Sequence, residues 1–328
     1  MEKANEYLLK LFLGVLLFSS TILSAHGQII DSSFIKPSFV FMADPTIFYN
    51  NGKYYLYGTY DINNSQGIRA FVSDHLKIFK KSDSKLVLRK GEAYGTAGFW
   101  APQIWRQGKI FYMAYVANEH IAIAKSSSLL GPFVSNKQPL IADKKTIDPF
   151  VFTDDNGKKY LFHVEFNNGN KIYVAQLKDD FSGIIQSTDS LCLEAELPWE
   201  KEMDNVVEGP TVIKHNGWYY LIYSANHFKS KHYAVGYAVS RSVYGPWQKS
   251  ADNPILSING TGKPGTGHGD IFFDGKGKMY YVFHTHNSDS TVGPRKTAIV
   301  SAHFEKDNSG ADKLIMEQSN MYYLKLKP

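Results

Sequence analysis

Three carboxylic acids stand at comparable places in the chain: Asp44 in "ADPTIFYNNGKYYLYGT", Asp148 in "TIDPFVF" and Glu208 in "VVEGPTVIKHNGWYYLIYSA". Two of them directly precede a Pro, and the third precedes a Gly-Pro pair. Asp is a poor strand residue and Pro cannot donate to a β ladder, so an acid beside Pro, ahead of an apolar run, marks where a strand begins. Acids gathered in one place repel one another. That raises their pKa values and lets one carboxyl stay protonated while another is ionised. General acid–base chemistry needs that division. The other use of three carboxylates is a Ca²⁺ or Mg²⁺ site, which favours ligands grouped in one loop, unlike these three.

The elements that would bring the acids together are visible as a repeat. "DPTIFYNNGKYYLYGT" is followed by "APQIWRQGKIFYMAYV", "DPFVFTDDNGKKYLFHVEF", "GPTVIKHNGWYYLIYSA" and "GDIFFDGKGKMYYVFHTH". Each reads as a small or acidic residue, a short apolar strand, a Gly-containing turn and an aromatic strand, which is a hairpin pattern. Pro45, Pro102, Pro149 and Pro210 are spaced by 57, 47 and 61 residues, and the fifth copy has Asp270 in the Pro place after a further 60. A third apolar strand follows each hairpin, and a fourth outer strand would fill the remainder. Four-stranded units at this period predict an all-β, single-domain, five-bladed β-propeller; a β-sandwich would not explain the repeat. The innermost strand of each blade lines the axis, so the repeated strand starts converge at one mouth. That gathers Asp44, Asp148, Glu208 and, from the fifth copy, His268 with Asp270.

The bulk properties fit an exported globular protein. The 328 residues are 43% hydrophobic and 14% aromatic, which favours β structure and sugar-like ligands. The net charge of +5 comes from scattered Lys and Arg without a basic arm, so no nucleic-acid partner is expected. Residues 1–27 read as a signal peptide: Lys3 and Lys10 precede "LFLGVLLFSSTIL", and Ala25-His26-Gly27 is a small-x-small cleavage site. The apolar run is short for a bilayer span, so residues 28–328 are expected as a secreted or periplasmic catalytic domain with no membrane partner. Cys192 is the sole cysteine, which excludes an intrachain disulfide and, in its alternating apolar setting, reads as structural. No nucleophile elbow, phosphate loop or His-Glu-x-x-His is present.

The quoted acidic segments closely resemble glycoside hydrolase family 43, over roughly Phe41 to His303. The resemblance implies a five-bladed propeller acting with inversion on arabinose- and xylose-containing polysaccharides. It implies Asp44 as general base, Glu208 as general acid and Asp148 as the carboxylate that tunes and orients Glu208. Trp100 in "GFWAPQIW" resembles a pocket aromatic, and Arg295 in "VGPRKTAIV" resembles the fifth-blade Arg that reaches the sugar and the acids. His268 in "GTGHGD" resembles a His beneath the pocket that contacts a central Ca²⁺ through its water shell. Ca²⁺ prefers oxygen ligands, so His268 as a metal contact and a structural calcium stay open alternatives, with no cofactor required for hydrolysis. His163, Glu165 and His227 follow aromatic strands and are weaker channel candidates. The expected partner is an arabinose- or xylose-containing glycan, bound by a monomer that removes terminal α-L-arabinofuranose. β-D-xylosidase and galactan-cleaving activities are the alternatives within the family. A non-catalytic sugar-binding propeller is the alternative of another class, because function does not follow from fold.

Overall fold

The computed structural model describes residues 38–308 and 310–327; the expected signal peptide lies outside the described residues. The chain is all-β and propeller-like. Each of the five repeats opens one antiparallel sheet, through the inner strands Ala43–Asn50, Trp100–Gln107, Thr146–Thr153, Val207–His215 and Gly267–Phe273. The hairpins form as the sequence pattern demands. Asn51 and Gly52, for instance, take positive φ and join the first inner strand to Lys53–Thr59. Inner strands of consecutive sheets touch one another, and the fifth returns to the first.

Apolar side chains fill the seams between these sheets. Tyr57 and Ile68 of the first sheet pack with Met113 and Tyr115 of the second. Leu56 and Phe71, on its other face, pack with Val282 and Ile299 of the fifth. Strand alternation explains this double role, since Leu56 and Tyr57 point to opposite faces. Cys192 is half-buried beside the seam of the third and fourth sheets, where burial pushes its thiol well up, away from reactivity.

Two expectations need correction. Six sheets, not five, are present among the described residues. The sixth is a three-stranded sheet of Ser38–Phe39, Lys325–Lys327 and Ile78–Lys80, and it contains no repeat. Its strands are two or three residues long, too short for any periodicity to announce them. The second repeat-bearing sheet also has three strands rather than four.

The strand starts share one backbone device. A bulge interrupts each inner strand's pairing, and inside it one residue is left-handed: Asp44 (φ 48°), Ala101 (41°), Asp148 (54°), Gly209 (58°) and His268 (44°). This fixes the register of the fifth repeat. Gly269, not Asp270, stands in the Pro place, and Asp270 matches Thr46 and Thr211. It also places Glu208 one residue before the left-handed position, where the second sheet has Trp100 and the third has Ile147. The acids are therefore not strictly equivalent: Asp44 and Asp148 are, and Glu208 is offset by one.

Candidate active site

The bulges aim the strand starts at the axis. Asp44, Asp148, His268 and Asp270 all line an axial cavity of about 20 Å³, enough for one water-sized occupant. Above it, His268 Nδ1 lies 3.4 Å from Asp44 Oδ1 and 3.8 Å from Asp148 Oδ2, between the two aspartates. Its backbone is tied by an N–H donated to Ser224 Oγ at 2.7 Å. Gly209 is required beside it, because a Cβ there would come within 2.8 Å of the imidazole.

Asp44 is held in the ionised state. Arg295 donates to its Oδ1 at 3.0 Å and Thr59 to its Oδ2 at 2.6 Å. Burial acts to raise the pKa, but the Arg295 guanidinium, His268 and the Thr59 hydrogen bond outweigh it and hold the carboxyl well below the usual range. His284 is fully buried and kept neutral by desolvation and by Arg295; its Nδ1 accepts the Asp44 N–H at 3.2 Å. Arg295 is itself fixed by Asp61, which accepts from Nε at 3.0 Å, from a terminal nitrogen at 2.9 Å and from the Arg295 backbone N–H at 2.8 Å. Phe228 lies 5.3 Å from the guanidinium, in cation–π range.

The other two acids move the opposite way. Burial first, and then repulsion from Asp148, push Glu208 up to about 7. Burial and the Asp44 charge push Asp148 up to about 8, against the opposing hydrogen bond from the Gly209 N–H at 3.1 Å. The two titrate as a coupled pair. Glu208 is oriented from both sides: Tyr233 Oη donates to Oε1 and Asn170 Nδ2 to Oε2, both at 2.8 Å. The site thus holds one ionised carboxylate and a buried, coupled pair that keeps at least one proton near neutrality.

Of the residues singled out from sequence, His268 contacts both Asp44 and Asp148, Arg295 contacts Asp44, and Glu208 is coupled to Asp148. Trp100 is half-buried at the start of its inner strand. His163 and Glu165 do not join the acids. His163 Nε2 is 3.1 Å from Glu165, and Lys144 pairs with both Glu165 and Asp189. His227 accepts the Lys229 N–H within its own loop. Asn170, Tyr233, Asp61 and His284 were missed. Asn170 opens a third strand and Tyr233 and Asp61 lie in loops, where no repeated motif marks them; His284 lies on the aromatic strand of the fifth repeat, among residues that read as packing.

A family model described as "Glycosyl hydrolases family 43" matches residues 38–309. The chain belongs to that family. A crystal structure of an endo-1,4-beta-xylanase from Bacteroides thetaiotaomicron is 40% identical, with a TM-score of 0.82 over 89% of this chain and 99% of that one. Beta-D-galactofuranosidase xynD of Aspergillus niger is 26% identical over 80% of each chain. Xylosidase/arabinosidase 43B of Humicola insolens is also 26% identical, over 65% of this chain and 42% of its own length. As a family-43 chain this protein is a glycoside hydrolase. The relatives' names divide among xylose, arabinose and galactofuranose substrates.

Proposed function

We propose that this family-43 hydrolase removes terminal α-L-arabinofuranose from plant polysaccharide side chains with inversion at the anomeric carbon. The observation that carries the reading is the split between an Asp44 held ionised and a Glu208 raised to about 7 at one mouth. Asp44 takes a proton from a water whose oxygen bonds to the anomeric carbon. Glu208 gives its proton to the glycosidic oxygen as that bond breaks. Repulsion between Asp148 and Glu208 makes it costly for both to ionise, so a proton stays on the coupled pair for Glu208 to give. Arg295 keeps Asp44 ionised and offers hydrogen bonds to a sugar hydroxyl, and Trp100 supplies a face for the ring. Solvent returns the proton from Asp44 to Glu208 after each turnover.

Release of 4-nitrophenol from the α-L-arabinofuranoside by residues 28–328, beside a Glu208→Ala variant, tests the reading. Turnover that falls by orders of magnitude in the variant supports it, and NMR of the first-formed anomer tests inversion. A β-D-xylosidase is the second reading, favoured by the xylan-related names among the relatives. The 4-nitrophenyl β-D-xyloside, run in parallel, decides between them. A wild type that binds arabinose but hydrolyses neither glycoside would instead support the sugar-binding reading.

A central cation is a further part of the proposal. Three aspartates, His268 and the hydroxyls of Thr46 and Thr211 line the axial cavity, and such an oxygen-rich set suits a hard cation. Asp270 and His268 would hold it, where it would balance buried charge and leave the hydrolytic steps to the acids. A melting temperature that drops with EDTA and returns with Ca²⁺ supports it; an unchanged one removes it. We also propose export through residues 1–27, tested by N-terminal sequencing of the secreted protein, and a monomeric state, tested by light scattering.

A further inference from the structure

The rim of the mouth is uneven. At that end of the sheets, the turns between second and third strands are short in the second sheet (118–119) and the third (167–169). They are long in the first (60–66), fourth (226–233) and fifth (286–295), which are consecutive around the ring. Among these turns the short ones lie over the second and third sheets, and the crossover segment 194–206 runs beside the third-sheet turn, its Asn205 carbonyl accepting the Asn170 N–H. A glycan too large for the pocket meets the shortest turns on that side.

Glu208 stands at the border between the long and short turns, with Tyr233 of the long fourth-sheet turn donating to its Oε1. Its Oε2 is held by Asn170 of the third sheet. In the strand register Asn170 lies directly opposite Phe166, so the two side chains share one face of the sheet. Phe166 ends a row that begins with Phe162 and Val164, both fully buried against the fourth sheet. Phe166 itself is 49% exposed at the mouth end of the row. Packing accounts for Phe162 and Val164 and leaves the Phe166 ring half-exposed, one cross-strand neighbour from the residue that donates to the acid.

We propose that Phe166 is the platform of the leaving-group subsite, stacking on the apolar face of the sugar ring that departs with the proton of Glu208. The ligand class is a pyranose unit of a polysaccharide backbone, lying over the third sheet. This rests on the glycosidase reading above. Phe166 would act on specificity, by holding the leaving sugar, while Asn170 and Tyr233 orient the acid. The adjoining turn adds a polar edge, where Asn167 Nδ2 donates to Tyr173 Oη at 3.3 Å.

The test compares two leaving groups. α-L-Arabinofuranosyl fluoride carries a leaving group that reaches no farther than the acid, whereas an arabinofuranose-substituted xylotriose carries a ring that would lie on Phe166. For a wild type that prefers xylose, β-D-xylosyl fluoride and xylotriose are the pair. In Phe166→Ala the ratio of kcat/KM for the oligosaccharide to kcat/KM for the fluoride is expected to fall about three- to tenfold, the scale of one aromatic stacking contact. Phe166→Trp is expected to restore it. An unchanged ratio, whether both rates hold or both fall together, overturns the platform and leaves Phe166 as a surface residue or a prop for Asn170. A wild type that hydrolyses neither substrate of either pair overturns the arabinose and xylose readings, and the platform with them.

Discussion

Replacing Asp148 by Asn should move the basic limb of the pH–rate profile downward. Asn keeps the shape and still accepts the Gly209 N–H, but it removes the second titrating carboxyl and with it the like-charge coupling. Two causes lift Glu208 from the ordinary 4.5 to about 7: burial first, then Asp148. Only burial survives in the variant. A buried like charge at this range is worth about one pKa unit, or ~1.4 kcal/mol. The limb should therefore shift from near pH 7 to near pH 6, and at pH 8 the variant should retain about a tenth of the wild-type kcat/KM. The assay is kcat/KM from pH 4 to 9 on a 4-nitrophenyl glycoside. A 2,4-dinitrophenyl glycoside serves as control, because its leaving group departs without a proton and should lose the limb in both proteins. A variant limb that stays near 7, or rises, would falsify the assignment of Asp148 as the residue that keeps Glu208 protonated.

Other perturbations have equally definite signs. Arg295→Met removes the main cation beside Asp44, so burial prevails and the Asp44 pKa rises. The acidic limb of kcat/KM should move up by about one to two units, the worth of one charge-assisted hydrogen bond. Glu208→Gln should be more heat-stable than the wild type at pH 8 and similar at pH 4. The folded-state pKa of Glu208 is raised, so its contribution to stability is present below its unfolded value and lost as pH rises through about 7; equal melting temperatures at pH 8 would contradict this. Glu200→Ala should cost about 3–5 kcal/mol in urea denaturation. That fully buried carboxylate accepts from Tyr223 Oη, from the Glu196 and Leu197 N–H groups and from Lys249, and each would lose this acceptor, Lys249 keeping the Glu194 carbonyl and Glu196.

Much of this was legible because a propeller repeats its grammar. The Asp-Pro and Gly-Pro strand starts, the Gly turns and the aromatic second strands recur often enough to give five of the sheets and the convergence of Asp44, Asp148, Glu208 and His268; Arg295 lies outside the repeat and is carried by the family resemblance alone. The repeat misled where a copy was degenerate. Without Pro, the fifth start was read one residue late, and only the left-handed His268 reveals that Gly269 takes the Pro place. The residues that orient the acids were hidden for another reason. Asn170 begins a third strand, while Tyr233 and Asp61 lie in loops, so they reach the axis from different radii with no shared neighbour pattern. The sixth sheet joins segments nearly 300 residues apart through strands too short to carry alternation.

The left-handed strand starts have a consequence for how such a protein can drift. Of the five residues in that conformation, only Gly209 adopts it freely; Asp44, Ala101, Asp148 and His268 each hold it at a cost of roughly 1 kcal/mol or more. Two of the four are the aspartates at the heart of the candidate site, so the backbone is least comfortable where the proposed chemistry would be done. A lineage released from selection for hydrolysis would be free to relax there first, by acquiring Gly or Asn at 44 and 148. It would become a sturdier sugar-binding protein in the same step that silenced it. In this architecture, loss of the enzyme and gain of robustness lie along the same mutational path.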